Sequence, residues 1–234
     1  MQIKNKIVVV TGASGGIGLA TARLLAKQGA TVVLAARSAD KLTALAKELP
    51  GAFAVPTDMR EPEDITHLVD STLKKFGRID IWVNNAGQGM YGPAEHINIE
   101  NYRKVWELNV LGPLRAMQAV IPVMRKQGGG LILNVSSLVS KNYFPSLSAY
   151  ASTKYALNAI SLTAREELAK DHIIISVMHP KMTTTDFGRN AIGARPDYAT
   201  RGTADRPRPD ADPPEAVAEG IAKLIASEEP EARM

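Results

Sequence analysis

Apolar residues along this chain switch between two spacings. Short unbroken runs at Lys6–Val10, Thr31–Ala36, Ala52–Val55, Ile79–Asn84, Leu131–Ser136 and Ile173–Met178 have the length of buried strands. Between them, apolar residues recur at helical spacing over Ile17–Gln28, from Ser38 to the Pro50-Gly51 turn, and over Pro62–Phe76, Glu100–Lys126, Ala149–Lys170 and Pro213–Ala226. Gly29 is placed to end the first helix and Ser38 to cap the second. Pro113 and Pro122 are expected to bend the long fourth helix without ending it. Strands alternating with helices in this way predict βαβ units, and so a doubly wound α/β fold with a mostly parallel sheet covered on both faces. One domain over residues 1–234 is expected, because α/β units of about 200–250 residues are common. Thr183–Pro214 interrupts the alternation. It is polar and holds five of the fourteen prolines, which predicts a mobile lid over a substrate site at 183–214. No clear seventh strand follows the last helix, so that sheet edge stays open and the chain is allowed to be short of its natural end.

Composition narrows the function. The chain is 45% hydrophobic and 22% charged, with a formal net charge of +4. The basic residues form no run, and aromatic residues are 5% of the chain, which argues against nucleic acid. Arg189, Arg195, Arg201, Arg206 and Arg208 are interleaved with Pro, Asp and Gly, as in a solvated loop. No stretch reaches the roughly 18 apolar residues of a membrane helix. Cysteine is absent, which excludes disulfides, a thiol nucleophile and thiolate metal sites, and a cytoplasmic protein is expected. His67, His96, His172 and His179 share no metal-ligand spacing, so no metal is expected.

Candidate chemistry begins at Thr11-Gly12-Ala13-Ser14-Gly15-Gly16-Ile17-Gly18, between the first strand and first helix. Glycines let the backbone turn sharply and approach a pyrophosphate, whose charge is met by the helix N-terminus. Gly12, Ser14, Gly16, Ile17 and Gly18 are therefore candidate cofactor contacts. The turn lacks the Lys-Ser/Thr ending of a nucleoside-triphosphate loop. The second strand ends in Ala35-Ala36-Arg37-Ser38, which offers no acid for the ribose hydroxyls of NAD but one guanidinium for a 2′-phosphate. The choice falls on NADP(H), with Arg37 and Ser14 as phosphate contacts.

Tyr150 and Lys154 are four apart in a helical segment and share a face. Ser137 precedes Tyr150 by 13 residues at the carboxyl end of a predicted strand, where open α/β sheets bind ligands. Asn84-Asn85-Ala86-Gly87 closes the fourth strand at the same edge, and Asn109 lies in the preceding long helix. With Asp58, and with Pro180 followed by Thr185, these features run in order from position 11 to 185, about three-quarters of the chain. In this set the sequence resembles the short-chain dehydrogenase/reductase family, in its single-domain branch.

The resemblance implies a Rossmann-type sheet of strand order 3-2-1-4-5-6. It implies a catalytic set of Asn109, Ser137, Tyr150 and Lys154. Tyr150 is the general acid in carbonyl reduction; Lys154 lowers its pKa and holds the nicotinamide ribose; Ser137 stabilises the developing oxyanion; Asn109 anchors a water relaying protons to Lys154. An unperturbed tyrosine titrates near 10, which is why a neighbouring ammonium is needed. Asp58 is implied at the adenine, Thr185 at the carboxamide, and Asn85, Ala86, Gly87 and Pro180 along the cofactor. Ser136 is a rival to Ser137; spacing to Tyr150 favours Ser137. Lys181 stands where the family usually has glycine after the sixth-strand proline, with a bearing on the nicotinamide site or the lid hinge.

Gln88, Met90, Leu138, Tyr143, Phe144, Met182 and Phe187 are the candidate substrate pocket. Their apolar character points to a hydrophobic ketone or aldehyde. A 3-oxoacyl-carrier-protein reductase is the alternative, with Arg125, Lys126 and Lys170 as a basic rim and Asp171 against it. A non-catalytic NADPH sensor is the alternative of another class. By resemblance, a homo-dimer or homo-tetramer is expected through the 100–126 and 149–170 helices.

Overall fold

A computed structural model describes residues 1–194 and 211–234. Seven strands, β1 (Ile7–Thr11), β2 (Thr31–Ala36), β3 (Phe53–Pro56), β4 (Ile81–Asn84), β5 (Gly130–Val135), β6 (Ile173–His179) and β7 (Glu231–Arg233), form one sheet. They lie in the order β3-β2-β1-β4-β5-β6-β7, and every pairing is parallel. The order reverses between β1 and β4, and the crevice at their carboxyl ends is where such sheets take ligands.

Among the described residues seven α-helices join the strands: α1 (Gly16–Lys27), α2 (Ala39–Glu48), α3 (Pro62–Phe76), α4 (Ile99–Trp106), α5 (Gly112–Lys126), α6 (Ser148–Leu168) and α7 (Pro214–Ser227). Successive strand residues face opposite sides, so each strand feeds two cores. Val8, Val10, Leu34 and Leu133 pack with Leu25, Leu42, Ile221 and Ile225 under α1, α2 and α7. Val9, Trp82, Ile132 and Ile175 pack with Leu68, Met117 and Met124 under α3 and α5. Covering both faces explains why the strands read as continuous apolar runs.

The long helix predicted over Glu100–Lys126 is instead three pieces: α4, a π-helical turn at Glu107–Leu111, and α5. The Gly112 N–H bonds to the Glu107 carbonyl, five residues back. Gly112 also passes close to Met59, whose carbonyl oxygen would lie 2.5 Å from a Cβ placed there. Pro113 falls in the first turn of α5, where a missing N–H is tolerated. Pro122 lies inside α5. The extra residue in the π turn turns Asn109 fully inward.

The sheet edge left open by the sequence is filled by β7, whose register on β6 is Val177↔Glu231, Met178↔Ala232 and His179↔Arg233. Three residues, two of them charged, carry no apolar signal; backbone pairing makes the strand. The expected lid at 183–214 falls in part on residues 195–210, which lie outside the described residues. Its two ends meet: Thr183 bridges to Asp212, the Thr184 N–H donates to the Asp212 carbonyl at 2.9 Å, and Lys181 pairs with the Asp212 carboxylate at 3.1 Å. Among the described residues no helix is long and apolar enough to cross a membrane.

Candidate active site

The glycine turn is held by its neighbours across the sheet. Thr11 Oγ1 accepts from the backbone N–H groups of Asn85 (2.9 Å) and Ala86 (3.0 Å) and donates to the Val83 carbonyl (3.2 Å). The Asn85 amide nitrogen donates to the Thr11 carbonyl at 2.8 Å. Gly12 has φ +67°, and a Cβ on Gly18 would lie 2.3 Å from the Gly12 carbonyl oxygen. Only glycine fits there. The α1 N-terminus has no side-chain cap and no acid in its first turn, so its N–H groups face an electropositive opening beside Ser14, Gly15, Gly16 and Ile17. That cradle fits the pyrophosphate of a dinucleotide. Thr185 closes one wall: its Cγ2 would lie 3.1 Å from a Cβ on Gly16.

Ser137, Tyr150, Lys154 and Asn109 converge at the carboxyl edge of the sheet. Ser137 follows β5, Tyr150 and Lys154 lie in the first two turns of α6, and Asn109 lies in the π turn. Tyr150 and Lys154 are both buried, and the lysine ammonium lies 5.9 Å from the phenol ring centroid. Burial pushes the Tyr150 phenol above its ordinary value, and a hydrogen bond with Ser137 pulls it back down. Burial lowers Lys154 to about 8, while its ammonium donates to the Val135 carbonyl at 2.9 Å. Ser137 thus acts against that burial, and the Lys154 ammonium, a cation beside the ring, favours the phenolate in the same direction.

Asn109 does not touch Lys154. Its amide nitrogen donates to the Gln88 carbonyl (2.9 Å) and to Thr153 Oγ1 (3.1 Å), and its Oδ1 accepts from the Gln88 N–H (2.9 Å). The side chain thus fixes the turn after β4 against α6. Gly87 fills the gap between the two groups, since a Cβ there would lie 3.2 Å from Asn109 Oδ1 and 3.7 Å from Lys154 Nζ. Pro113 has no N–H to offer the Asn109 carbonyl four residues back, so an α-helical bond to that oxygen cannot form.

At the far end of the crevice Arg37 is exposed at the end of β2, and its charge helps hold the Asp58 carboxyl below the ordinary range. The larger cause is Arg60, whose Nε donates to Asp58 Oδ1 at 3.0 Å. The Asp58 carboxylate is therefore already engaged by a guanidinium the sequence reading did not weigh. Pro180 sits beside Ser137 through the Leu138 N–H, which donates to its carbonyl at 2.9 Å.

The expected pocket residues separate. Phe187 lies over Tyr150, with ring centroids 5.6 Å apart. Leu138 is half-buried, Phe144 and Met182 are partly exposed, and Gln88 donates through its amide to the Asn190 carbonyl at 3.0 Å. Two expectations need correction. Tyr143 is 91% exposed and stacks on Tyr155, five positions past Tyr150 and so on another face of α6. Met90 is a core residue, buried with Val105, Ala149 and Tyr150. The basic rim is also displaced: Arg125 and Lys126 end α5 and Lys170 follows α6, so all three lead into the amino ends of β5 and β6, at the opposite edge of the sheet. Arg125 is paired there with Asp171 at 2.6 Å.

The sequence reading missed Thr11 and Thr153 as site-building residues. Thr153 Oγ1 donates to the Tyr150 carbonyl at 2.7 Å and receives Asn109. Its position between Tyr150 and Lys154 was the available signal.

A sequence model of the short chain dehydrogenase family matches residues 6–195. An uncharacterized oxidoreductase of Bacillus subtilis is 35% identical over 240 aligned positions, covering 100% of this chain; the chain spans 65% of that protein's length. An alcohol dehydrogenase from Thermococcus sibiricus, solved with 5-hydroxy-NADP, superposes with a TM-score of 0.85 at 30% identity, over 99% of this chain and 96% of that one. A 3-ketoacyl-(acyl-carrier-protein) reductase from Brucella melitensis, solved with NADH, gives 0.88 at 28% identity, over 99% and 97%.

Proposed function

The chain belongs to the short chain dehydrogenase family of oxidoreductases, and on that premise we propose that it is an NADP(H)-dependent carbonyl reductase, reversible as an alcohol dehydrogenase, acting on hydrophobic ketones or aldehydes. The observation that carries this reading is the buried Tyr150 phenol, hydrogen-bonded with Ser137 and flanked by the Lys154 ammonium. When bound, the nicotinamide supplies the hydride. Everything else falls to the chain's own groups.

Tyr150 gives its proton to the carbonyl oxygen as negative charge builds there, and Ser137 Oγ donates to the same oxygen. Lys154 stands behind Tyr150 as a source of positive charge and reaches the ribose. Asn109 holds the Gln88 backbone and Thr153, and offers its carbonyl to a water on the path to Lys154. Gly12, Ser14, Gly16, Ile17 and Gly18 take the pyrophosphate; Asn85, Ala86 and Gly87 form the crevice floor; Pro180 and Thr185 border the carboxamide. Arg37 favours a 2′-phosphate because β2 ends without an acid. Asp58 takes the adenine through whatever acceptor capacity Arg60 leaves it.

The apolar Leu138, Phe187 and Met182 around Tyr150 support a hydrophobic substrate. A carrier-linked 3-oxoacyl substrate loses its proposed docking charges, since Arg125, Lys126 and Lys170 lie across the sheet from Tyr150. We further propose a cytoplasmic homo-oligomer built on α4, α5 and α6. The test is cofactor oxidation with NADPH and NADH against a panel of ketones and aldehydes. Turnover of apolar carbonyls with NADPH preferred supports the reading; binding of NADPH without turnover overturns it in favour of a sensor.

A further inference from the structure

Behind Ser137 lies a buried polar cluster that the proposed chemistry does not use. His179, the last residue of β6, is fully buried. Its Nε2 lies 2.8 Å from Glu231 Oε1, on β7. The same carboxylate oxygen takes Lys141 Nζ at 2.6 Å. Lys141 directly follows the short 3₁₀ turn Leu138–Ser140, which begins at Ser137. On its other side, His179 Nδ1 faces Ser140 Oγ at 3.3 Å.

Ser140 is the link to the site. Its hydroxyl donates to the Ser137 carbonyl at 2.6 Å, and its N–H donates to the same carbonyl at 3.0 Å. Asn158, one turn beyond Lys154 on α6, donates to Ser140 Oγ at 2.9 Å. Among the described residues Ser137 Oγ accepts the Val139 N–H, at 3.3 Å, from its own turn, which leaves its proton for Tyr150 or a substrate oxygen. The direction of that hydroxyl therefore depends on how the 137–140 turn is seated. The seat is made by Ser140, His179 and, through Lys141 and His179, by Glu231.

We propose that His179 and Glu231 are positioning residues for Ser137: one carboxylate on the edge strand ties the end of β6 and the turn after β5 together, and so sets the aim of the Ser137 hydroxyl. Placement matters because an oxyanion donor acts only when held to within about half an ångström of its working geometry. The cluster's composition supports this role over plain filling. A fully buried imidazole costs desolvation, which draws His179 below its ordinary value, and a buried Leu would complete the core without that cost. The inference rests on the proposed role of Ser137.

The test is a double-mutant cycle in full-length protein, read as kcat and KM for both cofactor and carbonyl. Glu231→Ala and His179→Asn are each expected to lower kcat about 10-fold, with the KM for NADPH within about twofold of wild type. In a Ser137→Ala background the same substitutions should lower kcat less than about twofold, because the group they aim is already gone. Glu231→Asp should recover part of the loss. Equal losses in both backgrounds, or unchanged kcat in the single variants, overturn the proposal. Should His179→Asn fail to fold, Glu231→Ala on the short, partly exposed β7 carries the cycle alone. Wild-type turnover that survives Tyr150→Phe would instead defeat the proposed function itself, a result separable from both.

Discussion

The Phe187 ring lies over the ring of Tyr150, with centroids 5.6 Å apart and planes tilted by 54°. Phe187 is 38% exposed and its ring edge would lie 3.0 Å from a Cβ on Gly89, so the contact forms one wall between the crevice and solvent. Phe187→Ala is expected to raise the KM for bulky apolar carbonyls about 10-fold, from the loss of an aromatic contact of about 1 kcal/mol and of buried area. KM for small polar carbonyls should change little. Steady-state kinetics on a size series checks this, and a uniform change across the series counts against an apolar pocket.

Gly18→Ala drives a Cβ to 2.3 Å from the Gly12 carbonyl and 2.5 Å from the Asn85 amide. Both partners belong to the cofactor cradle, so the turn must move. The expected outcome is a loss of stability of about 1–3 kcal/mol together with loss of NADPH binding. Thermal unfolding with and without NADPH checks it: the variant should show no cofactor-dependent rise in Tm.

Arg37, exposed just past the end of β2, is the residue on which the proposed NADP(H) preference rests. Arg37→Ser should raise the KM for NADPH about 10- to 100-fold, the worth of one charge-assisted hydrogen bond, and leave NADH unaffected. Equal effects on both cofactors would remove Arg37 from the specificity argument.

Lys154 is held near a pKa of about 8, whereas an unfolded lysine titrates near 10.4. Between those values the unfolded chain binds more protons, so the lysine's contribution to stability rises with pH. The cost of its buried charge is present in full below pH 8 and fades as the pH climbs toward 10.4. Relative to Lys154→Met, the unfolding free energy of wild type should therefore rise by about 2 kcal/mol between pH 7 and pH 9.5. Denaturant unfolding at the two pH values checks the sign, and a flat difference would show that Lys154 is not desolvated.

The sheet was legible because both its faces are buried: Val8–Val10, Trp82 and Ile132 give strand runs that no surface constraint dilutes. Tyr150, Lys154 and Ser137 were legible from spacing, since a helical turn and a strand end fix where such residues meet. Three things were not. The π turn at Glu107–Leu111 has only Pro113 as a local sign, and the close approach of Gly112 to the Met59 carbonyl just after it is a tertiary contact that helical spacing does not show. The strand β7 is three residues with no apolar run, held by backbone pairing and by the Glu231 carboxylate on His179 and Lys141. The Glu231–His179–Ser140 cluster joins positions 231, 179 and 140, and only the parallel register of β6 with β7 brings them together.

The most direct test of the account is Tyr150→Phe, which removes one hydroxyl from a buried ring and keeps the core volume. With the preferred carbonyl and NADPH, kcat should fall by about 10²- to 10⁴-fold, the range expected for loss of a general acid. NADPH binding and Tm should stay close to wild type, since the ring remains in place. Equal turnover in the two proteins would contradict the account, because no other phenol or acid among the named site residues stands in line to protonate the carbonyl.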